Sequence, residues 1–175
     1  MATTWASSRD YMIFVLMTGM RKHEAMSLKW ADIDFGAKTI EVPAKLCKNA
    51  HGYALPMSKF LEQFLRHRKR ITGESEYLFP GQSGKGRLRS CQRVTEEVIK
   101  KCGQKFIMND LRRTFQHAGL QAGVSAHLVK LLINCSGSRS SVDLLHEPNQ
   151  DELRAAMEKI SRRLLDKMST NTQAN

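Results

Sequence analysis

At 175 residues the chain is long enough for one domain with a real core, and a hydrophobic content of 41% excludes a disordered polymer. Twenty-eight Lys plus Arg against seventeen Asp plus Glu give a formal net charge of +11, a field that favours a polyanionic partner, most often nucleic acid. Cys47, Cys91, Cys102 and Cys135 form no CxxC pair and have no histidine at ligand spacing, which argues against zinc or a disulfide framework, and no apolar run reaches the about 20 residues of a membrane span.

Ser7 or Ser8 is expected to cap a first helix, nearly continuous in apolar residues from Tyr11 to Met17 and broken by Thr18-Gly19. A short helix from Lys22 to Leu28 follows, with Glu24 one turn from Arg21, a spacing that allows an ion pair. Trp30 to Asp34 reads as an irregular connection. Lys38 to Val42 and Tyr53 to Met57 are β-type runs of a hairpin or small three-stranded sheet, flanking a loop that carries Lys45, Lys48, Asn49 and His51. Ser58 caps a helix with Phe60, Leu61, Phe64 and Leu65 on its apolar stripe; Arg66, Arg68, Lys69 and Arg70 crowd an end closed by Gly73.

Tyr77 to Pro80 forms an apolar plug, and Gly81 to Gly86 is a glycine-rich basic loop that lacks the Gly-Lys-Ser/Thr ending of a phosphate-binding P-loop. Helical spacing resumes from Ser90 to Lys101, preceded or begun by Arg87, Arg89 and Arg93. Asn109 or Asp110 is expected to cap a helix that buries Leu111, Phe115 and Ala118 and ends at Gly123. Arg112 and Arg113 lie about 100° apart on it, so one borders the packed face while the other faces solvent. Two readings stay open there: a phosphate clamp built on a rigid helix start, or a surface arginine pair. Ser125 caps a helix through Leu132, Asn134 to Ser141 is a Ser- and Gly-rich loop, and a last helix runs from Asp151 to about Met168. The expected organisation is one mainly helical domain over residues 1–168 with a small antiparallel sheet near its N-terminus, an α+β fold, and a disordered tail over 169–175. The reduced thiols and the lack of an export signal in Met1 to Ser8 predict a cytoplasmic protein, and its abrupt start suggests a domain from a longer chain.

Taken in order, three stretches resemble the catalytic domain of the tyrosine recombinases, the phage integrase family. Thr18 to Ala25 with Leu28 to Asp34 is similar to the family's first arginine box. Lys48-Asn49, His51 and Leu55 to Ser58 resemble the hairpin that carries its lysine, and Asn109 to Phe115 with Ala122 to Val124 resembles its second box, normally His-x-x-Arg. The resemblance implies integration or recombination of double-stranded DNA in a bacterial or phage-host cell, without metal or other cofactor, on a homo- or hetero-oligomer assembled on the duplex. It also implies roles: Arg21 and Arg112 as phosphate clamps, Lys48 (or Lys45) as acid for the leaving 5′-oxygen, and Glu24 as a brace for Arg21. Arg113, Arg66, Lys69, Arg87 and Arg89 are the expected further DNA contacts.

The chain departs from the family pattern at three pocket positions. Asn109 replaces a histidine, Cys135 replaces a histidine or tryptophan, and the nucleophilic tyrosine matches Leu145 or, one residue out of register, Leu144. The chain's three tyrosines, Tyr11, Tyr53 and Tyr77, all lie upstream. The expectation is a DNA-binding domain that does not cleave by itself. The alternatives are a tyrosine supplied in trans, attack by Cys135, His146 or a serine among Ser136, Ser138, Ser140 and Ser141, or a non-enzymatic basic regulator.

Overall fold

The computed structural model describes residues 4–81, 84, 86–135 and 147–172. Its first helix, α1 (Thr4–Thr18), is buried on most sides, with Tyr11, Phe14, Val15 and Met17 in the core. Ser7 and Ser8, expected at its cap, lie inside it and are buried. The helix starts a turn earlier because these hydroxyls face the interior, where Ser7 accepts a hydrogen bond from Arg68. Gly19 ends the helix at φ +63. A Cβ there would lie 2.5 Å from Cδ1 of Phe115 and 2.9 Å from Cγ2 of Ile133. Gly19→Ala is therefore expected to lower stability by about 1–3 kcal/mol, through strain and overpacking, in a urea melt.

Next come α2 (Lys22–Ser27), a single turn of 3-10 helix at Trp30–Asp32, and three antiparallel strands in chain order: β1 (Ile33–Asp34), β2 (Thr39–Val42) and β3 (Tyr53–Pro56). Ile40 stands opposite both Ile33 and Leu55, and this apolar row turns the sheet's inner face onto the core. The β1–β2 turn and the 43–52 loop emerge at opposite ends of β2.

Ser58 caps α3 (Lys59–Thr72), its hydroxyl accepting from the Leu61 amide at 3.3 Å. Arg68, placed by sequence among the basic residues at the end of this helix, is instead 1% exposed. Its guanidinium donates to Asp10 Oδ2 at 2.7 Å, to the Leu78 carbonyl at 2.7 Å and to Ser7 at 3.2 Å, and lies 4.5 Å from the centre of the Phe79 ring. One buried cation thus fastens α3 and the apolar plug to α1. Burial lowers its affinity for its proton, an effect the Asp10 carboxylate only partly offsets.

After the plug come α4 (Gln92–Cys102), α5 (Met108–Gln121), α6 (Ala126–Leu132) and α7 (Gln150–Thr172). The residue before α5 is Ile107, and Asp110 rather than Asn109 caps the helix, its carboxylate accepting from the Ile107 amide at 2.9 Å. That leaves the Asn109 side chain for other use. α1 packs along α5, and α7 seals α5 and α6 with Met157, Ile160 and Leu164, so its apolar face lies in the chain's own core. α7 continues four residues past the expected boundary at Met168, with the hydroxyls of Ser169 and Thr170 bonded to the carbonyls of Leu165 and Asp166. Among the described residues no helix is long and apolar enough to cross a membrane.

Candidate DNA-phosphate site

Two chain breaks build the site. The first is the turn between α1 and α2. Arg21 precedes α2, and its backbone N–H donates to Glu24 Oε2 at 3.2 Å, so the carboxylate satisfies a donor that the helix start leaves open. The same carboxylate accepts from Arg21 Nη1 at 3.0 Å, while Nη2 donates to the Asn134 carbonyl at 3.1 Å. Glu24 is 1% exposed and also receives the Tyr53 hydroxyl at 3.4 Å from β3 beneath it. Burial and the Glu24 charge push the Tyr53 hydroxyl far above its ordinary range.

The second break is the start of α5. Arg112 lies on its buried side and Arg113 on its exposed side, as neighbouring helical positions require. Arg113 pairs with Asp110 at 3.3 Å. Arg112 donates to the Gly19 carbonyl at 2.8 Å and to the Ile133 carbonyl at 3.0 Å. Both acceptors belong to residues at helix ends, the places where backbone carbonyls are left over for side chains. Burial, then the nearby charge of Arg21, lowers the proton affinity of Arg112, and Glu24 offsets the effect. A guanidinium stays charged regardless.

Arg21 and Arg112, 91 positions apart in the sequence, thus line one cleft of about 360 Å³ with Met20, Lys22, His23, Ile107, Met108 and Asn109. Arg21, Lys22 and Arg112 against Glu24 leave the cleft net positive, the sign that a phosphodiester requires. Each guanidinium is fixed through donors turned toward protein, so its remaining N–H groups are presented at no further cost in side-chain freedom. Asn109 is exposed at the rim and offers an amide donor.

The other expected site residues fall into separate places. Cys135 is exposed and within electrostatic reach of Arg112. Lys48 is exposed at a corner of the turn closed by the Ala50 amide on the Cys47 carbonyl at 3.1 Å. That turn is tied to the site through Asn49, whose amide donates to Asn134 Oδ1 at 3.0 Å. Arg87 donates to the Ser27 hydroxyl at 2.6 Å and shares a second basic cleft with Lys29 and Lys45, beyond the far end of α2. Arg89 is exposed on the same connection. Arg66 and Lys69 cover the Phe35 ring, Arg66 also pairing with Glu62 at 2.9 Å, at the end of the sheet away from the 43–52 loop. Leu144, Leu145, His146 and the serines 136, 138, 140 and 141 lie outside the described residues.

Sequence reasoning missed Tyr53 as the brace beneath Glu24 and Asn134 as the junction of the site. The signal for Asn134 was present: asparagine after a helix is a frequent left-handed stop, and Asn134 has φ +47.

Residues 2–140 match the sequence profile of the Phage integrase family. The chain is 25% identical over 158 residues to the tyrosine recombinase XerA of Pyrococcus furiosus, covering 86% of this chain and 54% of that protein. In fold it is similar to the integrase of mycobacterium phage Brujita (TM-score 0.68, 20% identity, 88% of this chain and 51% of that one). It is also similar to the XerH site-specific recombinase solved bound to difH substrate (TM-score 0.61, 20% identity, 84% and 45%). The chain therefore spans about half the length of these relatives.

Proposed function

From the premise that the chain belongs to the phage integrase family, we propose that it binds double-stranded DNA through a single backbone phosphate gripped by Arg21 and Arg112, and that it does not cut the strand by itself. The observation that carries this reading is the convergence of those two guanidinium groups in one cleft, each anchored on backbone carbonyls or a buried carboxylate.

A phosphodiester under attack accumulates negative charge on its equatorial oxygens, and two fixed arginines with an amide from Asn109 stabilise that charge. Lys48, carried on a tethered loop, is the group suited to protonate a leaving 5′-oxygen. Proton transfer is the weak part. Asn109 cannot carry a proton at neutral pH, and general acid or base help is worth about 10²- to 10⁴-fold in rate.

None of the chain's three tyrosines lines the arginine cleft. Tyr11 is buried and its hydroxyl donates to the Lys22 carbonyl at 3.0 Å, while Tyr53 is committed to Glu24. Burial raises both hydroxyls far above their ordinary range, which keeps them protonated and poorly nucleophilic. Tyr77 lines the other basic cleft, with Lys29 5.6 Å from the centre of its ring. By the resemblance in sequence, the family's tyrosine position falls on Leu145 or, one residue out of register, Leu144.

The test is a suicide duplex, in which a nick next to the cleavage point traps covalent protein–DNA product. The chain alone is expected to give no adduct after denaturing electrophoresis. An adduct abolished by changing one residue of this chain would overturn the reading. An adduct that forms only when a second, tyrosine-bearing recombinase is added and that carries that subunit's mass would instead establish supply in trans.

A further inference from the structure

Asn134 follows the last turn of α6 in a left-handed conformation, φ +47, that costs any residue but glycine strain and that asparagine tolerates best. Its backbone carbonyl accepts from Arg21 at 3.1 Å. Its side chain crosses to the 43–52 loop. The side-chain oxygen Oδ1 of Asn134 accepts from Asn49 Nδ2 at 3.0 Å, and its Nδ2 donates to Asn49 Oδ1 at 3.5 Å and to the His51 carbonyl at 3.4 Å. Lys48 immediately precedes Asn49, at the corner of the Cys47–Ala50 turn.

We infer that Asn134 is a positioning residue: its side-chain amide clasps the loop at Asn49 and His51, and so holds the adjacent Lys48 in register with the Arg21 guanidinium that its backbone carbonyl orients. This rests on the phosphate-gripping reading only for the use made of Lys48; the clasp itself is a property of the free protein. One residue, through its backbone carbonyl on one side and its side-chain amide on the other, links two charged groups whose relative placement decides whether both meet the same phosphodiester. Residues 43–47 of the loop are fixed by a turn of 3-10 helix (Ala44–Leu46) and the buried Cys47, so the Asn134 hydrogen bonds act on residues 48–52, where local opening is governed by few such bonds.

The clasp is tested by Asn134→Gly, which retains the left-handed backbone and removes only the amide, with Asn49→Ala severing it from the other side. In the DNA-free protein, hydrogen exchange at the Ala50 amide is expected to quicken by about tenfold in both variants, and at the His51 amide, which itself bonds Asn49 Oδ1, in Asn134→Gly, with exchange in α1 and α5 unchanged. Unchanged exchange in the loop overturns the clasp, whether or not the protein binds DNA. The positioning role is read from affinity for a 20-base-pair duplex. Lys48→Ala is expected to weaken binding several-fold in the otherwise unchanged chain and to have no effect in the Asn134→Gly background. Equal losses in the two backgrounds overturn the role assigned to Asn134.

Discussion

Asp10→Ala is expected to destabilise the fold by about 3–5 kcal/mol, measured by urea or thermal unfolding, because it strands a buried guanidinium without its counter-charge. Asp10 Oδ2 lies 2.7 Å from Arg68, whose side chain is 2% exposed and has no route to water as the fold stands. The carbonyl of Leu78, the Ser7 hydroxyl and the Phe79 ring together accept hydrogen bonds and polarisation from Arg68, but none of them carries a full negative charge. Replacing both partners by apolar residues of similar size, as in Asp10→Leu with Arg68→Met, is expected to recover most of the loss, because a buried ion pair contributes little net stability once desolvation is counted. If the single substitution were neutral, Arg68 would have to reach solvent by a rearrangement of α3 against α1.

Arg112→Ala is expected to weaken binding to a duplex by about 2–5 kcal/mol, or about 30-fold and upward, whereas Arg113→Ala changes it by less than about fivefold. The two residues are neighbours of the same charge, so any model in which the basic surface binds DNA diffusely predicts equal effects. The difference comes from burial and anchoring. Arg112 is held on the Gly19 and Ile133 carbonyls, while Arg113 is exposed and half-occupied by Asp110. Removing the Arg112 side chain also orphans those two carbonyls, so affinities must be compared below the melting point of the variant. Arg112→Lys serves as control: it keeps the charge, but a lysine does not span both carbonyls and the ligand, and most of the affinity is expected to be lost with it too.

Much of this architecture was legible in the sequence because local chemistry and global fold agree there. The Ser58 and Ser125 caps, the apolar stripes of α3 and α5, and the β-type runs of the hairpin each find their partner within a few residues or on one face. What could not be read involves partners far apart in the chain. Arg68 looks like its exposed basic neighbours, and only Asp10, 58 positions upstream, makes it a core residue. Asn109 and Asp110 are equally good caps on paper. The choice of Asp110 follows from how the chain enters α5, and it frees Asn109 for the rim of the cleft.

For the site, the two arginine boxes pointed to Arg21 and Arg112, but the groups that aim them carry no signature of their own. The Gly19, Ile133 and Asn134 carbonyls are backbone atoms exposed by helix ends, and any sequence supplies a carbonyl there. The expected DNA contacts were gathered by charge alone. The fold separates them, with Arg87 beside α2 and Arg66 and Lys69 on Phe35 at the other end of the sheet.

Whether Arg21 and Arg112 serve one phosphate is read from the salt dependence of duplex binding, which counts phosphates. Each phosphate neutralised contributes about −0.9 to the slope of log K against log salt. The slope is to be measured for the unchanged chain, for Arg21→Ala, for Arg112→Ala and for the double variant. If both residues grip the same phosphate, the double variant loses about 0.9 in slope in total, and its loss of affinity is smaller than the sum of the single losses. A loss of about 1.8 in slope, with additive losses in affinity, would contradict the shared grip and place the two arginines on separate phosphates.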